Sequence, residues 1–328
     1  MSSWSYDETK TLIRAVQLAP SVHNSQPWSL ELSKHDALLF ERRDITLPYH
    51  DPTGRDRLLS CGTALANLEL AVRELGWRAE TSLSGDSSLS DWVGTVTAST
   101  PQPATATEHA WYEAIPRRRS YRLPFNRDGL SADEIKVVIA AAEVDGVSTQ
   151  LVAGQDEIHA LAGLVEYATN VYRHDHAYQR ELAGWITRRH NRRVRTGIPQ
   201  ERLGPGLRFG GLVRPNNPAP DAEVIAESIS RETVLVFLSE RDSRREHVLA
   251  GAALQRAWLS ATALGLAASV VTQPLHLSEV RGRLADALEL PGRPHALLRV
   301  GRPTWPIPAA PRRSAQEIAE PRYLEGLS

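Results

Sequence analysis

Gly62-Thr63-Ala64-Leu65-Ala66-Asn67-Leu68-Glu69-Leu70-Ala71-Val72-Arg73-Glu74-Leu75-Gly76 decides the fold, because its pattern returns at a constant offset of 189 residues. Gly251 to Gly265 reads Gly-Ala-Ala-Leu-Gln-Arg-Ala-Trp-Leu-Ser-Ala-Thr-Ala-Leu-Gly, and Gly62/Gly251, Ala64/Ala253, Leu65/Leu254, Leu70/Leu259, Leu75/Leu264 and Gly76/Gly265 coincide. Each copy has helical apolar periodicity and ends on a Gly suited to a left-handed cap. In the first copy Leu58, Cys61, Leu65, Leu68, Val72 and Leu75 form one apolar face. Short apolar runs bounded by Gly and Pro surround the two helices: 37–40 and 150–152, then 234–238 and 297–300, all of strand type. Two unrelated Ala/Leu helices would share some of these identities. A duplicated α+β unit accounts for more of them.

Composition narrows the function classes. The 328 residues suffice for one large domain or two ordinary ones, and a net charge of -1 with 23% charged residues gives no global attraction to nucleic acid or an anionic membrane. An anion site must therefore be local. Of 38 Lys and Arg residues only Lys10, Lys34 and Lys136 are lysines, a skew that GC-rich coding explains for most positions. Cys61 stands alone, which removes an intrachain disulfide framework and a cysteine zinc site. The first ten residues are polar and no apolar run reaches membrane-spanning length, so the expectation is a soluble, cytoplasmic protein.

Two motifs carry chemistry. Pro20-Ser21-Val22-His23-Asn24-Ser25-Gln26-Pro27-Trp28 follows a helical pattern (Leu12, Ile13, Val16, Ala19) that Pro20 ends. It offers hydroxyl, amide and backbone groups either to a flat ligand or only to its own backbone. Ile115-Pro116-Arg117-Arg118-Arg119-Ser120-Tyr121-Arg122-Leu123-Pro124-Phe125 concentrates four cations beside a Pro-bounded turn. Guanidinium binds phosphate bidentately and keeps its charge, so this run fits a phosphate cradle, although a solvated charged face has the same composition. Arg312-Arg313, after Pro311, offers a second basic pair.

Pro20-Ser21-x-x-Asn24-x-Gln26-Pro27-Trp28, Arg118-Arg119-Ser120-x-Arg122-x-x-x-Phe125, and Leu264-Gly265-Leu266 followed by Val300-Gly301 together resemble the FMN-dependent nitroreductase family, and their spelling is similar to its Acg-type actinobacterial branch. In that family two chains share each flavin. This chain carries each motif once, which implies a nitroreductase-like fused pseudo-dimer with one complete FMN site, for which a monomer suffices. Carried over by resemblance, Arg118 and Ser120 hold the phosphate with Arg312 and Arg313, while Arg119 is less well matched. Arg122 lies near N1 and O2 of the ring; Pro20, Ser21, His23, Asn24 and Gln26 belong to the turn that touches the flavin; Gln273 presents a backbone amide to N5. No side chain need act as general acid or base, since the flavin carries the hydride chemistry.

The boundaries implied are a first half over 1–98, a linker over 99–114 and a second half over 115–328. An insertion at about 172–221 has arginine-rich helical text from Tyr178 to Arg195 and reads as a lid. Trp185, Arg208 and Phe209 are its candidates for touching the ring. Gly204-Pro205-Gly206-Leu207-Arg208-Phe209-Gly210 has the wrong spacing for a dinucleotide loop, and His174-Asp175-His176 lacks a third ligand, so no metal is expected. Two functions stay open: an oxidoreductase that takes hydride from NAD(P)H and reduces nitroaromatic or quinone-like acceptors, and a storage protein whose lid encloses FMN without turnover.

Overall fold

A computed structural model describes residues 4–86, 90–187, 195–200, 203, 209, 212–214 and 219–319. Helix α1 (Tyr6–Gln17) starts on a capping box in which Ser5 and Glu8 exchange side-chain and backbone bonds. A short 3-10 turn, Val22–Asn24, leads to strands β1 (Trp28–Ser33) and β2 (Asp36–Glu41), helix α2 (Arg55–Glu74), and strands β3 (Trp77–Leu83) and β4 (Trp92–Pro101). These four strands form one antiparallel sheet in the order β1-β2-β4-β3.

Helices α3 (Ala106–Ala114) and α4 (Ala132–Ala141) precede β5 (Ser148–Val152), and α5 (Gln155–His174) and α6 (His176–Trp185) follow it. Two-residue strands β6 (Ile186–Thr187) and β7 (Ile198–Pro199) pair in parallel. Next come α7 (Ala222–Ile229), β8 (Thr233–Ser239), α8 (Arg244–Ala263), β9 (Ala267–Val271), a 3-10 turn at Gln273–His276, α9 (Ser278–Ala287), β10 (Arg293–Gly301) and α10 (Ala315–Ile318). The second sheet, also antiparallel, runs β5-β8-β10-β9, the same order as the first when strands are matched by their position around α2 and α8. All four apolar runs expected as strands lie inside β2, β5, β8 and β10.

Burial explains the contrast between the sheets. Val234, Val236 and Leu238 pack with α5, α7 and α9, while Leu235 and Phe237 pack with α4 and α8, so β8 is buried on both faces and reads as an unbroken apolar run. In the first sheet β3 is largely exposed, and its sequence mixes polar and apolar residues. One correction concerns the linker expected over 99–114. β4 continues to Pro101, which pairs with Trp77, and α3 opens at Ala106 on a Thr105/Glu108 capping box. Only residues 102–105 connect the two.

The molecule is organised on the contact between α2 and α8. Each helix ends on a left-handed glycine, Gly76 (φ 87°) or Gly265 (φ 77°). Gly62 and Gly251 sit where the helices meet: a Cβ on Gly62 would fall 2.9 Å from the Val248 carbonyl carbon, and one on Gly251 2.8 Å from that of Leu59, with the carbonyl oxygens nearer still. The contact is reciprocal, each glycine admitting the backbone of the other helix. Beside it the buried Gln255 donates to Asn67 Oδ1 (2.7 Å), and Asn67 donates to the Ala15 carbonyl (2.8 Å).

Candidate functional site: a chamber joined to a cationic cradle

The Pro20–Trp28 turn is held in a strained form. His23 (φ 47°), Asn24 (φ 56°) and Gln26 (φ 51°) are all left-handed without being glycine, at a cost of about 1–2 kcal/mol each. Contacts from α2 secure it: Thr63 Oγ1 donates to the Pro20 carbonyl (2.7 Å) and Ser60 Oγ accepts from Val22 N–H (3.1 Å). Ser21 Oγ accepts from Gln26 N–H (2.9 Å), so this hydroxyl satisfies local backbone while its residue also faces open space.

That space is a chamber over the α2·α8 contact, about 1010 Å3 when the part open to solvent is included. Pro20 to His23 form one wall; Leu59, Gly251, Leu254 and Trp258 form the floor; Ser269 to Gln273 and His276 close another side. A second cavity of about 900 Å3 contains Arg14, Asn24, Arg118, Arg119 and Arg312. Pro20, Ser21, Ser120 and Arg122 line both, so the two spaces adjoin at these residues.

The basic motif reaches this junction by running alongside β9. Tyr121 N–H donates to the Ala268 carbonyl (2.9 Å), and the resulting alternation sends Tyr121 into the core against Phe125 while Ser120 and Arg122 line the cavities. Arg118 is 4% exposed, lies 4.4 Å over the Trp258 ring and donates one N–H to the Leu18 carbonyl (3.3 Å). Its Nε and Nη1 are buried without a hydrogen-bond partner, and no carboxylate pairs with it among the described residues. Burial, reinforced by the charges of Arg312 and Arg119, pushes its pKa well below the usual arginine value. A buried cation among cations, with two of its nitrogens unpartnered, has the donor chemistry that an oxyanion would satisfy.

The chamber has a different polarity. Asp56 Oδ2 accepts from Thr272 Oγ1 (2.5 Å) and from His276 Nε2 (3.0 Å). Burial alone would raise its pKa, but His276, Arg55 and the Thr272 bond outweigh that and hold it well below the usual carboxylate range. Asp51, whose oxygens accept from the Asp56 and Arg57 amides, is pushed up by burial and by the Asp56 charge. Across the chamber, burial lowers the pKa of His23 to about 3 and of His50 to about 4, so both are neutral at pH 7.

Among the residues expected from sequence, Pro20, Ser21, His23, Asn24, Arg118, Arg119, Ser120, Arg122, Gln273 and Arg312 line the joined cavities. Two do not. Gln26 braces the turn, donating to the Asn24 and Arg195 carbonyls and accepting from Arg313 N–H, and the Arg313 guanidinium donates to the Ser25 carbonyl and lies 3.8 Å from Glu317. Arg312 donates to Asn24 Oδ1, fixing that amide at the cradle. Of the lid candidates, Trp185 stacks loosely on His23 (6.4 Å, 30°), and Arg208 lies outside the described residues. Phe209 is corrected: it is buried in the apolar core beside α5 and β8, with its ring 5.5 Å from the Arg299 guanidinium, because burying its apolar surface there removes it from water. Asp175 caps α6 by accepting from the Ala177 and Tyr178 amides, a use that explains the His174-Asp175-His176 string.

His50, Asp56, Tyr178, Thr272 and His276 were missed. Pro48-Tyr49-His50-Asp51-Pro52 repeats the Pro-bounded polar composition of the first turn, and Thr272 and His276 flank Gln273, so both clusters had a local signal.

Fold and site define an α+β protein whose bipartite cavity joins a mixed-polarity chamber to a buried arginine cradle. The chain belongs to the nitroreductase family. The Nitroreductase family pattern matches residues 214–302. Two Mycobacterium tuberculosis H37Rv proteins that carry the name "Putative NAD(P)H nitroreductase" are similar over nearly the whole chain. One is 31% identical over 96% of this chain and 91% of its own length, and the other, acg, is 27% identical over 95% of each. Similar solved structures include a Bacteroides fragilis nitroreductase with bound FMN (TM-score 0.39, 15% identity, 59% of this chain and 88% of that one). The NADPH:FMN oxidoreductase of Vibrio harveyi complexed with NAD+ is another (TM-score 0.37, 15% identity, 63% and 74%).

Proposed function

We propose that the protein is an FMN-dependent oxidoreductase that takes hydride from NAD(P)H and reduces a nitroaromatic or quinone-like acceptor. The observation that carries this reading is the buried Arg118 guanidinium with two nitrogens left without a hydrogen-bond partner, placed where a cationic cradle adjoins the chamber. Arg118, Arg119, Arg312 and Ser120 would hold the phosphate, and charge-assisted bonds to it would offset the cost of gathering the arginines. Arg122, at the junction, would put a fixed positive charge beside the ring and favour its electron-rich form. When bound, FMN supplies the hydride chemistry, which no side chain here can perform. The names and titles of the relatives favour a nicotinamide donor.

In this reading the chain is a fused pseudo-dimer, supported by the matched strand orders and the reciprocal Gly62/Gly251 contact. One site is complete within a single chain. The segment over about 172–221 acts as a lid, supported by Tyr178 and Leu212 on the chamber wall and Trp185 beside His23. Anaerobic addition of NADH or NADPH to the FMN-loaded protein, followed by absorbance, tests the reading. Bleaching of the bound flavin is the expected result. Reduction by dithionite alone would replace it with the storage function, and failure to bind FMN would overturn both.

A further inference from the structure

The residues around His23 fix the direction of a chain of hydrogen bonds. His50 Nε2 is 3.0 Å from the Tyr178 carbonyl, which can only accept, so this nitrogen carries hydrogen. In the neutral ring Nδ1 is then a bare acceptor. His23 Nε2 lies 2.7 Å from it and must donate. The neutral His23 ring is left with hydrogen on Nε2 and a lone pair on Nδ1, which has no partner among the described residues although His23 is more than nine-tenths buried and lines the chamber.

His50 is itself immobilised. Its ring stacks on Tyr178 (3.7 Å, 11°), and the Tyr49 and His50 amides donate to the two oxygens of Glu181 at 3.1 and 2.9 Å. Tyr178 and Glu181 both belong to α6, in the segment that interrupts the second half. Burial first, then His50, Arg122 and His276, disfavour a proton on the His23 ring, and Asp56 favours one.

We propose that His50, held by α6, is a positioning residue that locks His23 in the Nε2–H tautomer and so gives the chamber a fixed hydrogen-bond acceptor, selecting a ring ligand with an N–H or O–H donor. The inference rests on the FMN reading for the identity of that ligand, since a flavin offers both an imide N–H and ribityl hydroxyls. The lock itself belongs to this chain. It lets the inserted segment set the polarity of the chamber wall at His23 through His50.

The test is nitrogen NMR of the full chain labelled at histidine, before and after addition of FMN, with His50→Gln and His50→Phe. Gln can donate to the Tyr178 carbonyl and accept from His23, and should keep the Nε2–H tautomer. Phe can do neither and should release it, with FMN affinity falling about tenfold, the worth of one neutral hydrogen bond. FMN should also shift the bare Nδ1 resonance in the wild-type protein. Hydrogen on Nδ1 in the wild-type protein, an unshifted Nδ1 in the FMN complex, or a His50→Phe variant with wild-type tautomer and affinity would each overturn the proposal. If His50→Phe does not fold, the wild-type and His50→Gln spectra still decide. If FMN does not bind, the proposed function fails together with the ligand contact, and the tautomer remains a separate reading in the same spectra.

Discussion

Gly62→Ala places a single methyl at the α2·α8 contact, and the structure sets two opposed energies. In a helix interior, replacing Gly by Ala gains about 1 kcal/mol from backbone entropy. The new Cβ would lie 2.9 Å from the Val248 carbonyl carbon and 3.0 Å from Ala252 N, against 3.4–4 Å for ordinary contact, with the Val248 oxygen closer still. Those are main-chain atoms of a rigid helix and cannot rotate away. Relief requires α8 to move from α2 by roughly an ångström or more, and overpacking of this kind costs about 1–3 kcal/mol, occasionally more. The methyl cost should exceed the propensity gain, leaving a net loss of up to about 2 kcal/mol. Gly163, inside α5, is the internal control: nothing lies within 4 Å of the point a methyl would occupy there, so Gly163→Ala should gain up to about 1 kcal/mol. Urea unfolding of both variants, read as midpoints with unchanged slope, measures the difference. Gly251→Ala should behave like Gly62→Ala, and the double variant should lose less than the sum, because one separation of the helices relieves both. A Gly62→Ala protein as stable as Gly163→Ala would refute the close-packed contact.

Acid sensitivity follows from three buried imidazoles. His23, His50 and His295 have folded pKa values of about 3, 4 and 3, lowered first by burial, against 6.5 in the unfolded chain. Above pH 6.5 neither state is protonated and the groups contribute no difference. As pH falls the unfolded chain takes up protons first, so stability drops by about 2 kcal/mol per histidine between roughly pH 7 and 5 and stops falling only below the folded values. Asp51 and Glu181, raised by burial, act in the opposite sense, and a urea midpoint that does not fall over that range would contradict the dominance of the histidines. Glu232→Ala should cost about 3–5 kcal/mol, because it leaves the 1% exposed Arg299, now bound at 2.6 Å through both Nε and Nη2, as an unpaired buried charge. Calorimetry or denaturant unfolding reads that loss, and a wild-type midpoint would show that the pair is not desolvated. Arg118→Met should stabilise the ligand-free protein, since it removes a buried cation beside Arg312 and Arg119, while FMN binding measured by fluorescence quenching weakens at least about tenfold, the worth of a charged hydrogen bond. A variant that loses ligand-free stability and keeps its affinity would remove Arg118 from the cradle.

The parts legible in the sequence were those written as local periodicity. The repeat placed α2 and α8, and β8 showed itself as an unbroken apolar run because helices cover both of its faces. Arg118 to Arg122 stood out by charge, since so dense a group is either solvated or matched to an anion, and Arg118 is buried, which excludes a fully solvated face. What stayed hidden depends on contacts between distant segments. Gln26 and Arg313 carry the donor chemistry of a ligand site, yet the Gln26 amide donates to the Asn24 and Arg195 carbonyls and accepts from the Arg313 backbone amide 287 positions further along the chain, while the Arg313 guanidinium donates to the Ser25 carbonyl. Phe209 reads as an aromatic in a glycine-rich string, and only the apolar cluster of distant segments that it joins shows why it is buried.

The same dependence explains the strained turn. Left-handed backbone at His23, Asn24 and Gln26 is unfavourable for each residue alone, and nothing in the turn itself compensates for all three. Compensation comes from outside it: Ser60 and Thr63 of α2 bind its first residues, Arg312 and the Gly197 and Pro311 carbonyls take the Asn24 amide, and His50 receives the His23 ring. Removing one of these supports should therefore relax the turn, not merely delete a bond. Cavity shape and stability are set by the same contacts, and a substitution at Thr63, which lines the chamber and donates to the Pro20 carbonyl, should change both together.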